Sequence, residues 1–248
     1  MRSSNADYIK AYQQDAEKVN EYYLKHLQNK SGQQVFLEKI ISENKPVMHH
    51  EIADVACGAG TLSYHISKLY PEANFTLIDV NDSALDLAKE ILKETKSVKL
   101  VNHSIFELDT FKEQFDIVFC WMTLLALDKP KEALEQLVSA CKKGGKIYLS
   151  SLFNFHHDVD IYSHFKDLTR DSGKDGVFMQ YNTISLPTVA EWLKGKVQSY
   201  KVHEFMPETD FLHDGKGIGT ATTMTADGKR LQISGGMLMN WGILEITK

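Results

Sequence analysis

Apolar and polar positions along the chain change rhythm near residue 50. Between Ala6 and Gln28, Tyr8, Tyr12, Ala16, Val19 and Tyr23 recur every three or four residues, which predicts a helix. A second helical stretch, GQQVFLEKIISEN, follows. From Glu51 onward, short runs rich in valine, isoleucine and phenylalanine alternate with helical ones: EIADVA, TLSYHISKLY, NFTLIDV, SALDLAKEILKE, VKLVNHS, FDIVFCW, KEALEQLVSACK and KIYLSSLF. This alternation predicts an α/β protein, with parallel strands and crossover helices covering both faces of one sheet. Pro71 is expected to end the helix after Tyr70, Asn81 or Asp82 to cap the helix beginning near Ser83, and Gly144-Gly145 to close the one ending at Lys143.

After Phe153 the alternation stops. Residues 154–183 are polar and histidine-rich and match no element. SLPTVAEWL then reads as a helix, with Ser185 as its cap and Pro187 in its first turn. VQSYKVHEF reads as a strand, GTATTMTADGKRLQIS as a hairpin turning at Asp227-Gly228, and GILEITK as a last strand. No linker composition marks a boundary, so the 248 residues are expected to form a single domain.

Composition narrows the function. Hydrophobic residues make up 43% and charged residues 25%, ordinary globular values, and the net charge is −5. A net negative chain has no general attraction for phosphate backbones, which counts against nucleic acid as a partner. The three cysteines, Cys57, Cys120 and Cys141, show neither CxxC nor metal-ligand spacing, so no metal is expected. Their pattern suits a reducing compartment. With no apolar leader and no stretch long enough to span a bilayer, the expectation is a cytoplasmic protein without a membrane partner.

The chemistry concentrates in EIADVACGAGTL. Gly58 and Gly60 remove Cβ atoms directly after a strand, where the backbone turns into a helix and a ligand can approach closely. Asp79 ends the next strand, nineteen residues after Gly60. A carboxylate there can accept both hydroxyls of a ribose, although alone it also fits a helix cap. The position of the third glycine in a dinucleotide fingerprint is Ser63, so the match to G-x-G-x-x-G is incomplete.

D-V-A-C-G-A-G resembles motif I of the class I S-adenosylmethionine-dependent methyltransferases, usually D-x-G-x-G-x-G. Asp54 matches the acid, Ala56 stands at the first glycine, and Gly58 and Gly60 match the others. Ala56 is tolerable there if its φ stays negative. The resemblance extends over roughly residues 50–153. LIDVNDSAL is similar to the second-strand motif, implying a ribose contact at Asp79 and an adenine-flanking role for Val80. VNHSIFEL is similar to the stretch contacting the adenine amino group, here through Ser104 or the backbone of Ile105. FDIVFCWMTLLALDKPKEALEQL resembles the fourth-strand motif, implying that Cys120 and Trp121 face the methionine part. KKGGKIYLSSL resembles the fifth.

The resemblance implies a three-layer Rossmann-like sandwich whose mostly parallel sheet has seven strands, the last antiparallel. It divides the domain into a helical cap (1–45), a cofactor-binding core (46–153), and an acceptor-side segment with the C-terminal strands (154–248). A cap tyrosine such as Tyr12 would lie near the cofactor. The implied activity is methyl transfer from S-adenosylmethionine to a small-molecule acceptor. A non-catalytic binder of that cofactor, or an enzyme moving another group from it, fits the same motifs, and a nicotinamide oxidoreductase fits them less well. In FNFHHDVD, His156 or His157 could serve as a base, since imidazole titrates near neutrality, or could be a solvated loop residue. Arg170, Tyr181 and Asn182 are the candidate acceptor contacts, with Arg170 suited to an anionic group. The alternative makes Arg170 a surface residue neutralised by Asp171 and Asp175.

Overall fold

The computed structural model describes residues 23–43, 50–167, 177–208, 210, 212, 220–234 and 237–248. Residues 23–28 are helical and lead into α1 (Gly32–Glu43). Ser31 and Gln34 form a reciprocal capping box at its start: Gln34 N–H donates to Ser31 Oγ, and Ser31 N–H to Gln34 Oε1. Then come β1 (Glu51–Val55), α2 (Thr61–Ser67), β2 (Asn74–Asp79), α3 (Asp82–Ile91), β3 (Val98–Asn102), β4 (Phe115–Trp121), α4 (Pro130–Ala140) and β5 (Cys141–Asn154). The chain continues through β6 (Ile161–Asp167), β7 (Val177–Ser185), α5 (Leu186–Leu193), β8 (Ser199–Glu204), β9 (Thr220–Met224), β10 (Arg230–Ser234) and β11 (Met237–Thr247).

Strand pairing gives the order β3-β2-β1-β4-β5-β11-β8, in which the first five strands are parallel and β11 runs antiparallel to both neighbours. This is the seven-strand sheet expected. Four further strands join it, for eleven among the described residues. The β9–β10 hairpin extends the start of β11 and turns at Gly228, whose φ of +80° suits glycine.

Side-chain alternation along the strands separates two cores. Ala53, Val55, Val118 and Leu149 face α4 and α5; Ile52, Leu77, Phe119 and Tyr148 face α1, α2 and α3. The result is three layers. Asn81 is the cap of α3, its Oδ1 accepting from the Ser83 and Ala84 amides. Three element ends differ from expectation: α2 stops at Ser67 rather than running to Tyr70. Helix α4 stops at Ala140 rather than Lys143, and Gly144-Gly145 lies in a register shift of β5 opposite Phe115 and Ile117. Ser185 begins α5 by position, but its hydroxyl donates to Thr188 Oγ1 and caps no amide.

Residues 154–183, which sequence reading left without an element, carry the β6–β7 hairpin. Strand β7 pairs in parallel with β5 at Leu152–Asn154, on the edge that β4 leaves at Ser150. Polar composition hid this hairpin because its polar side chains do internal work. Gln180 Nε2 donates to Leu127 O and to Asn182 Oδ1, and buried Asn182 donates to the carbonyls of Leu124 and Leu127. These bonds satisfy a short 3₁₀ turn, Leu124–Ala126, that follows β4.

Candidate active site

Strand order reverses between β1 and β4, and a cavity of about 1620 Å³ opens beyond the carboxyl ends of β1, β2 and β4. The turn from β1 into α2 forms its floor. Ala56, Gly58 and Gly60 all have positive φ, at 56°, 53° and 70°. The expectation of negative φ at Ala56 is therefore corrected: the alanine sits in the left-handed region, at a cost of about 1–2 kcal/mol relative to an ordinary conformation. The two glycines have different reasons. A Cβ on Gly60 would meet Leu77 Cδ2 at 2.8 Å and Leu92 Cδ1 at 3.0 Å, so Gly60 lets the turn settle onto β2 and α3. A Cβ on Gly58 would fall 2.6 Å from Cζ of Tyr23, so Gly58 lets the helical residues 23–28 close over the turn. The N–H of His65 Nε2, in α2, meets the His26 carbonyl at 3.1 Å and ties that cap down.

Two carboxylates flank the turn. Gly58 N–H donates to Asp79 Oδ2 at 2.8 Å, and Asn81 N–H donates to Asp79 Oδ1 at 2.9 Å. Each oxygen keeps a second lone pair. Burial raises the Asp79 pKa, and the amide bonds partly offset it. Asp54, at 1% exposure, accepts from Ser63 Oγ at 2.7 Å through Oδ2, while its Oδ1 has no partner among the described residues. Burial pushes its pKa up to about 7; the Ser63 bond opposes this and the Asp79 charge adds to it.

The cavity brings together Asp54, Ala56, Gly58, Asp79, Val80, Ser104, Ile105 and Trp121 from the sequence-derived set. Ser104 Oγ accepts from Phe106 N–H and shapes its own loop. Cys120 does not reach the cavity. Successive strand residues point to opposite faces, so with Trp121 on the cavity side Cys120 is fully buried in the core under α4, where burial raises its thiol pKa to about 12. Gly60 supports the turn from behind.

The acceptor-side candidates fare differently. His156 and His157 lie exposed on the turn after β5, their amides donating to Asn154 Oδ1, and neither lines the cavity. Asn182 is wholly buried in the hydrogen bonds described above, and Tyr181, which does not line the cavity, packs with Leu152 and Trp241. Arg170, Tyr8 and Tyr12 lie outside the described residues. Among the described residues, the second half of the cavity is walled by Phe36, Phe205, Met206, Pro207, Gln232 and Trp241. Sequence reading missed Phe205, Met206, Pro207 and Gln232 because β8, β10 and β11 come together only through long-range pairing. Among the described residues no three His, Cys, Asp or Glu side chains are placed to hold a metal ion, and no helix is long and apolar enough to cross a membrane.

The glycine turn between two buried carboxylates lies at the switch point of a Rossmann-like sheet, where open α/β sheets bind their ligands. Residues 53–147 match a family model described as a methyltransferase domain. A malonyl-[acyl-carrier protein] O-methyltransferase of Halalkalibacterium halodurans is 22% identical over 188 residues, covering 71% of this chain and 68% of that protein. An uncharacterized protein of Methanocaldococcus jannaschii is 30% identical over 104 residues, or 41% of this chain and 28% of that protein. The chain thus spans from about a quarter to two thirds of the length of these relatives. Among solved structures, the 1,6-didemethyltoxoflavin-N1-methyltransferase of Burkholderia thailandensis superposes with a TM-score of 0.58 at 11% identity, covering 100% of this chain and 92% of that one. At that identity the likeness speaks to the fold.

Proposed function

We propose that this protein transfers a methyl group from S-adenosylmethionine to a small-molecule acceptor in the cytoplasm. The observation that carries the reading is the β1–α2 turn: Gly58 places its N–H on Asp79 and leaves Asp54 Oδ1 unpaired at the cavity floor. These residues fit the cofactor. The remaining lone pairs of Asp79 suit two ribose hydroxyls, and Val80 and Ile105 offer apolar flanks for a purine. The unpaired oxygen of Asp54 suits a cationic group. A nicotinamide dinucleotide fits less well, because the third fingerprint position holds buried Ser63, bonded to Asp54.

When bound, S-adenosylmethionine supplies a methyl group on a positively charged sulfur, and transfer is an in-line displacement. The protein's contribution is positioning and exclusion of water. The cap at Tyr23 covers one side, and Trp121 lines the cavity at the end of β4. The names of the two methyltransferases above support a small-molecule acceptor. Three free, buried cysteines support the compartment. Thermal shift tests the cofactor: S-adenosylmethionine and S-adenosylhomocysteine are expected to raise the midpoint and NAD to leave it unchanged. A shift with NAD alone would overturn the reading.

A further inference from the structure

Among the described residues, two cavity-lining side chains hold a buried oxygen without a hydrogen-bond partner: Asp54 in the cofactor half and Gln232 in the other. Gln232 is 2% exposed and sits in β10, a central strand of the C-terminal hairpin sheet. It pairs with Met239 of β11, and Trp241 lies two residues further along that strand. The period of two therefore sets Gln232 and Trp241 on one face. Phe205 N–H donates to Trp241 O at 2.9 Å, and the rings of Phe205 and Phe36 stand 5.7 Å apart. A buried amide oxygen with no partner is costly, and here the side chain that carries it lines an aromatic-walled cavity.

We propose that Gln232 selects the acceptor. The compartment takes a planar, aromatic small molecule that presents an N–H or O–H donor to Gln232 Oε1 while its ring lies against Trp241 and Phe205. This assignment rests on the methyl-transfer reading for its purpose, but the recognition it describes is a binding property. A site built to accept a hydrogen bond rejects an analogue of the same shape that lacks the donor, because the amide is then left unpaired.

Indole and benzofuran are such a pair, one carrying a ring N–H and the other an oxygen in its place. Each is titrated by ligand-observed NMR into the full chain, with and without S-adenosylhomocysteine. The parent protein is expected to bind indole about tenfold more tightly than benzofuran. Gln232→Leu is expected to erase the preference by weakening indole alone, and Gln232→Glu, which keeps an acceptor oxygen, to retain it. Equal binding of the two probes by the parent, binding of neither, or a preference that survives Gln232→Leu would overturn the proposal. Cofactor binding is read separately by thermal shift on the parent. Its failure there would sink the methyl-transfer reading, while the probe preference without cofactor still decides the role of Gln232.

Discussion

Replacing Asp79 by asparagine is expected to weaken S-adenosylmethionine binding at least tenfold while the protein stays folded. Both carboxylate oxygens already accept backbone amides, from Gly58 and Asn81, and their remaining lone pairs face the cavity. Asparagine keeps the shape and one acceptor but turns an N–H₂ group toward an N–H donor and removes the charge. Hydrogen bonds to a charged acceptor contribute on the order of 1.5–3 kcal/mol, and the loss should appear chiefly in affinity. Calorimetric titration gives the affinity, and a denaturation midpoint reports the fold. A folded Asp79→Asn protein with unchanged affinity would mean that the ribose is not held at the end of β2.

The second large effect concerns pH. Asp54 has a folded pKa of about 7 against an ordinary 3.8, raised first by burial and further by the Asp79 charge. A raised pKa means the folded state binds the proton more tightly than the unfolded chain. Its stabilisation is complete below pH 3.8 and is lost as pH rises toward and through 7. The empty protein is therefore expected to lose stability between pH 5 and pH 7, and Asp54→Asn to flatten that slope. His65, whose pKa burial lowers, acts in the opposite sense below pH 6.5. The readout is accordingly the difference in urea stability between parent and Asp54→Asn proteins. A cationic ligand favours the carboxylate, so S-adenosylmethionine should bind more tightly at pH 8 than at pH 6 and displace a proton near pH 7. An unchanged stability slope in Asp54→Asn, or pH-independent affinity in the parent, would remove Asp54 from this role.

The half of the cavity around the β1–α2 turn was legible because its signals are local. One turn carries Asp54, Ala56, Gly58 and Gly60, and the next strand ends at Asp79, so spacing alone brings them together. Even there the backbone surprised: Ala56 adopts the conformation its motif position ordinarily assigns to glycine. Cys120 was misplaced because two adjacent strand residues were given one direction. The other half was illegible for a different reason. Polar residues 154–183 read as a loop, yet Gln180 and Asn182 are buried and hydrogen-bonded inside a hairpin. Gln232, Phe205 and Trp241 meet only because β11 pairs with β5, β8 and β10 at once, a register that no short window contains.

The most direct measurement of the central claim follows the methyl group itself. Purified protein is incubated with S-adenosylmethionine labelled in its methyl carbon and with a low-molecular-mass metabolite extract. The account predicts label in a small-molecule product, formed by the parent and strongly reduced with Asp79→Asn. Label remaining wholly on S-adenosylmethionine, or passing into protein or nucleic acid instead, would contradict it.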